Sequence, residues 1–90
     1  MSAKVMMHPI FTEYVGGHQT IEVAGKDVGE CLAALIRLYP ALEKNLFDKN
    51  GTLRGYLKIY VNGKSAIPPE FSHPITDGDE IRIMAFGAGG

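Results

Sequence analysis

The stretch DVGECLAALIRLYP, Asp27–Pro40, changes the period of the chain. Val28, Cys31, Leu32, Leu35, Ile36 and Tyr39 recur at helical spacing, which predicts an amphipathic helix packed on something flat. Asp27, with Glu30 three residues later, has the form of a capping box with aspartate in place of serine or threonine. Pro40 marks the stop, because the residue before a proline is pushed out of helical geometry. Pro40 also suits the first turn of a short second helix through ALEKNLF.

On both sides of this helix the period is that of strands. Upstream, KVMMHPIFTEYVGG opens with an apolar run at Val5, Met6 and Met7, reaches Gly16-Gly17, and resumes as HQTIEVAG with Ile21 and Val23 in alternation. The reading is a hairpin whose first strand is interrupted or bulged at Pro9. Downstream, DKNG is a turn, and LKIYVNGKSA alternates Leu57, Ile59 and Val61 against Lys58 and Tyr60 before a second turn at Asn62-Gly63. A proline-rich connection, IPPEFSHPITDGD, closes in a turn at Asp77-Gly78. EIRIMAFG then alternates Ile81, Ile83 and Ala85 against Arg82, Met84 and Phe86.

The order is hairpin, helix, short helix, strand, irregular loop, strand. A helix laid across one face of a mixed sheet buries the apolar side of each element, so the expected class is an α+β two-layer domain. The connection through the helix is long enough for the crossover a parallel neighbour requires, and the first and last strands are expected side by side at the centre.

Composition narrows the function. With 90 residues and 46% hydrophobic content, residues 1–90 are expected to form one domain with one modest core. No apolar run approaches the roughly 20 residues that cross a bilayer, and MSAKVMMHPIF lacks the apolar region of a signal peptide. A cytoplasmic protein is expected. Nine basic and ten acidic residues leave a net charge of -1 with the cations scattered, so neither nucleic acid nor a membrane is expected as a partner. A single cysteine permits no internal disulfide, no thiolate metal cage and no iron-sulfur cluster. Cys31 lies on the apolar side of the helix and reads as a core residue. His8, His18 and His73 lack metal-ligand spacing, and neither Gly16-Gly17 nor Asn62-Gly63 has the spacing of a phosphate cradle. No metal, bound cofactor, acid/base pair or catalytic triad is nominated.

What remains is a surface and an end. If Ile81 and Ile83 face the helix, then Arg82, Met84 and Phe86 face away, with Tyr60 nearby on the same outer face. Exposed Met, Phe and Tyr side chains form the kind of patch a partner covers. Beyond Phe86 the chain reads Gly87, Ala88, Gly89, Gly90.

Taken together, the element order, the IYVNG and DGDEIRI segments and the final GG resemble the ubiquitin-like sulfur carriers of the MoaD/ThiS family, over essentially the whole chain. GGHQTIEVAG, VGECLAALIRLYP and LRGYLKIYVNGKSA are most similar to the MoaD-like and CysO-like members, with Arg54, Gly55 and Tyr56 as the Arg-x-aromatic approach to the strand. The resemblance implies a β-grasp fold: a mixed sheet of four to five strands with one main helix across a face. It also implies a carried substrate rather than an enzyme. A ubiquitin-activating-type adenylyltransferase uses ATP to convert the Gly90 carboxylate, with Gly89 beside it, to an acyl-adenylate, and a sulfurtransferase supplies the sulfur of the thiocarboxylate that follows. The sulfur acceptor would be a molybdopterin synthase large subunit or a cysteine-synthase-like enzyme making cysteine or homocysteine, or less readily a thiazole synthase. With the first, this chain would be the synthase's small subunit. A metalloprotease that trims the tail is a further implied partner.

The chemistry suits the residues. A carboxylate resists attack, and adenylation gives it a good leaving group. Glycine has no Cβ, so Gly89 and Gly90 can thread a narrow channel. The chain departs from its relatives at MAFGAGG, where Gly87 stands in place of a bulkier residue, so residues 87–90 are expected to form a flexible tail in which Gly87 and Ala88 also touch the partner. Two other readings use the same fold. The activated Gly90 could be attacked by lysines, making the chain a protein modifier, or the domain could bind partners with no tail chemistry.

Overall fold

In a computed structural model, which describes residues 1–66 and 70–86, the Asp27 carboxylate accepts the Glu30 N–H at 2.8 Å and opens helix α1, Val28–Leu38. The return bond from Glu30 reaches one residue further back than in a standard capping box, to the Lys26 N–H at 3.0 Å. Gly25 is required just ahead of this cap: a Cβ there would lie 2.7 Å from the Cys31 nitrogen. At the other end both expectations for Pro40 hold. Tyr39 leaves helical geometry, and Pro40–Leu42 forms a 3-10 turn that runs directly into a short helix α2, Glu43–Leu46.

Val28, Cys31, Leu32 and Leu35 of α1 are buried against the inner face of a five-stranded sheet. The strands are β1 (Ser2–Met6), β2 (Thr20–Ala24), β3 (Leu57–Val61), β4 (Lys64–Ser65) and β5 (Asp79–Ala85), in the spatial order β2-β1-β5-β3-β4. β1 and β5, the first and last strands, are parallel neighbours at the centre, and every other pairing is antiparallel. The alternation read from the sequence sends Ile59, Ile81 and Ile83 inward, and Val5 of the apolar run joins them, all at most 2% exposed.

The hairpin takes a different form from the one expected. β1 and β2 do pair antiparallel, with Met6 opposite Thr20, but a 3-10 helix, Pro9–Val15, fills the connection between them. Proline is suited to a first helical position, and the His8 Nδ1 accepts the Ile10 N–H at 3.2 Å as a cap. Phe11 and Val15, four residues apart, then both turn into the core. Gly16 and Gly17 close this helix rather than a tight turn, with the Gly17 N–H donated to the Thr12 carbonyl at 2.8 Å.

The two turns flanking the central strands are locked to each other. Asn62 sits in the left-handed region at φ 52, followed by Gly63 at φ 84, the backbone that a two-residue hairpin between β3 and β4 demands. From there the Asn62 side-chain amide donates to the Asp79 carboxylate at 2.9 Å, and its carbonyl accepts the Glu80 N–H at 2.9 Å. Asp79 also accepts from the Thr76 N–H at 2.8 Å. These bonds, the Thr76 N–H foremost and the Asn62 amide next, hold the Asp79 carboxyl below the usual aspartate range.

Two measurements follow. Truncating Leu35, which is fully buried at the middle of α1, to alanine should cost about 2–5 kcal/mol in denaturant unfolding. Asp79→Asn should lower the unfolding midpoint at pH 7. Because a depressed carboxyl stabilises the fold above its unfolded value of about 3.9 and loses that contribution as pH falls through the folded value, the gap between wild type and Asp79→Asn should narrow steadily below about pH 4. A gap that is the same at pH 7 and pH 3 contradicts the role given to Asp79.

Candidate functional site

With one side of each strand committed to the core, the other side forms a continuous outer face ordered by the pairing registers. Arg82 of β5 stands between Met6 of β1 and Tyr60 of β3. The next row sets Met84 opposite Lys58. Phe86 follows, 47% exposed, with its ring centroid 6.4 Å from that of Tyr60 at a tilt of 44°. Met6, Tyr60 and Met84 are half-buried, so the rows make a shallow apolar surface flanked by cations. The Phe86 N–H is donated to the Tyr56 carbonyl at 2.8 Å, which ties the end of β5 to the approach of β3.

Tyr60, Arg82, Met84 and Phe86, expected to share a face, do so. Gly87, Ala88, Gly89 and Gly90 lie outside the described residues, as does any account of the tail they were expected to form. Met6 joins the patch because β1 and β5 are parallel and in register, a long-range pairing that alternation within one strand does not reveal. Lys58 follows from the alternation itself, two positions from Tyr60.

Arg54 supports this region from behind. Its Nε and Nη2 both donate to the Lys44 carbonyl, at 3.1 and 2.7 Å, while the Arg54 N–H bonds the Leu46 carbonyl. The guanidinium thereby satisfies a carbonyl at the end of α2 and seats the segment that enters β3. In the Arg-x-aromatic segment the arginine is thus a brace, and Tyr56 is the member whose backbone reaches β5.

The charged groups of this face are Lys4, Lys58, Arg82, Glu22 and Glu80, and Arg82 is paired with Glu80 at 3.1 Å. Cys31 is fully buried on the far side of the sheet; burial first, then the nearby Asp27 and Glu30 carboxylates, push its thiol up and away from thiolate reactivity. Among the described residues there is no group of three His, Cys, Asp or Glu that could hold a metal ion, and no helix long and apolar enough to cross a membrane.

Known proteins with this architecture are small β-grasp, ubiquitin-like chains. The solution structure of small archaeal modifier protein 1 from Methanosarcina acetivorans superposes with a TM-score of 0.86 at 27% identity, covering 99% of this chain and 96% of that one. The crystal structure of the Amycolatopsis orientalis BexX/CysO complex gives a TM-score of 0.86 over 98% of this chain and 99% of that one, at 22% identity, which speaks to the fold alone. In sequence, small archaeal modifier protein 1 of Haloferax volcanii is 32% identical over 79 residues, 84% of this chain and 87% of that protein. The ThiS family model matches residues 10–90, from the 3-10 helix through β5 to the final glycine, and the chain belongs to that family of small ubiquitin-like sulfur carriers and modifiers.

Proposed function

We propose that this chain is a sulfur carrier whose Gly90 carboxylate is the reacting group. A carboxylate oxygen attacks the α-phosphorus of ATP on an adenylyltransferase of the ubiquitin-activating type, and pyrophosphate leaves. A sulfurtransferase persulfide then attacks the carbonyl carbon and displaces AMP, and a second thiol of the partner enzymes cleaves the resulting acyl disulfide, leaving the thiocarboxylate on this chain and a disulfide on the partners. The observation that carries this reading is the family match running through residue 90. The face around Tyr60, Arg82, Met84 and Phe86 supplies the docking surface, and Gly87 and Ala88 continue the contact from Phe86 towards the enzyme's active site. ATP is bound by the activating enzyme and not by this chain. The sulfur passes to a molybdopterin precursor, with this chain as small subunit beside a synthase large subunit, or to cysteine or homocysteine on a cysteine-synthase-like enzyme; a thiazole is the third destination. A metalloprotease would expose the terminal glycine where further residues follow it.

One observation favours a second reading. The 32% identical relative is called a modifier protein, and the same acyl-adenylate can be attacked by a lysine amine in place of sulfur. Conjugation through Gly90 to lysines of other proteins would use the same tail and the same docking face.

Intact-mass analysis of the chain co-expressed with its activating enzyme should show one oxygen replaced by sulfur, and deletion of Gly90 should abolish the change. Phe86→Ala should leave the fold intact and lower the rate of adenylation at limiting carrier by about fivefold or more, the loss expected for an aromatic anchor in a small interface. Accumulation of Gly-Gly remnants on lysines of cellular proteins, with no thiocarboxylate under active turnover, would instead establish the modifier reading.

A further inference from the structure

The outer face has an uneven distribution of charge. Its row farthest from Phe86 alternates in sign: Lys4 lies in register with Glu22 on one side and Glu80 on the other. In the next row Arg82 is neutralised by Glu80 at 3.1 Å. Lys58, one row closer to the end of β5, has Met84 directly opposite and Tyr60 two positions along its own strand. It is exposed, and among the described residues the only ion pairs are Arg82 with Glu80 and Lys26 with Glu30. Among the described residues, Lys58 therefore stands beside the apolar patch, near Phe86, with no carboxylate in register next to it.

We propose that Lys58 selects the partner: the protein surface that covers this patch presents an apolar depression with a carboxylate set against the Lys58 ammonium. This rests on the reading of the outer face as the activating enzyme's docking surface. Covering Lys58 with an apolar or cationic surface would strip water from a charge and return nothing, a cost that rejects such surfaces; a carboxylate converts the same burial into attraction. Anionic lipid is a poor occupant, because membrane attachment by charge needs several cations and, among the described residues, this end of the face offers one lysine. Arg82, already paired, contributes its stem beside Met6 and little net charge.

The test is the kinetics of adenylation with the activating enzyme that accepts the wild-type chain, measured by ATP–pyrophosphate exchange. Lys58→Glu should raise the KM for the carrier roughly tenfold or more, and Lys58→Gln about threefold, with kcat nearly unchanged. KM for wild type should climb with salt, and for Lys58→Gln it should climb far less. Lys4→Gln, a cation already between two carboxylates, should move KM by less than about twofold. Thermal unfolding shows whether each variant is folded. Wild-type KM and salt dependence in folded Lys58→Glu overturn the proposal while leaving the Gly90 chemistry intact; activity that survives deletion of Gly90 overturns that chemistry and this proposal with it. A wild-type dimer in sedimentation that Lys58→Glu dissociates, or binding of wild type to vesicles of phosphatidylserine, would assign the patch to a second copy or a membrane and likewise overturn it.

Discussion

Residues Ala3–Met6 lie beside Asp79–Arg82 as parallel strands, and this pairing brings together parts of the chain that are almost its whole length apart. Parallel neighbours cannot be joined by a tight turn, so everything between them must travel out and back. Helix α1 provides the crossover and buries the inner face in doing so. β2 and β3 then add to the two sides of the central pair, and β4 forms the edge. Few of these contacts are local, so closure of the central pair carries most of the loop entropy of folding. The bond network joining Asn62, Asp79 and Thr76 is well placed to secure it: it fixes the start of β5 to the end of β3, immediately beside the pairing with β1.

The same two-residue period that builds the core also builds the outer face. Ile81 and Ile83 cannot point inward without Arg82 and Met84 pointing outward, and Ile59 inward implies Lys58 and Tyr60 outward. A one-residue slip of β5 would exchange the two sets, so the register that protects the core also fixes the composition of the outer face.

Much of this was legible from residues near one another in sequence. The Asp27 cap, the Pro40 boundary, the alternation in β3 and β5 and the shared face of Tyr60, Arg82, Met84 and Phe86 are all consequences of short-range spacing. The 3-10 helix at Pro9–Val15 was not, because its seven residues sit below the length at which helical periodicity stands out from an interrupted strand, although Phe11 and Val15 four apart were its trace. Met6 entered the patch through a partner strand more than seventy residues away in sequence. That no described carboxylate pairs with Lys58 is also invisible locally, since it depends on which carboxylates the fold brings near and which it spends on Arg82. For Gly90 the sequence supplies a family pattern, and chemistry supplies the rest.

The parallel arrangement of β1 and β5 also settles how the molecule can be handled. Both strands run in the same direction, so Ser2, whose N–H is bonded to the Asp77 carboxylate at 2.8 Å, lies at the start of β5 and not at its end. A fluorophore or affinity handle joined ahead of Met1 therefore emerges about 25 Å from Phe86, eight residues' rise at about 3.3 Å each. Probes attached there stand clear of the end of the sheet that carries Phe86, whereas a handle fused after Gly90 would alter the carboxylate proposed as the reacting group.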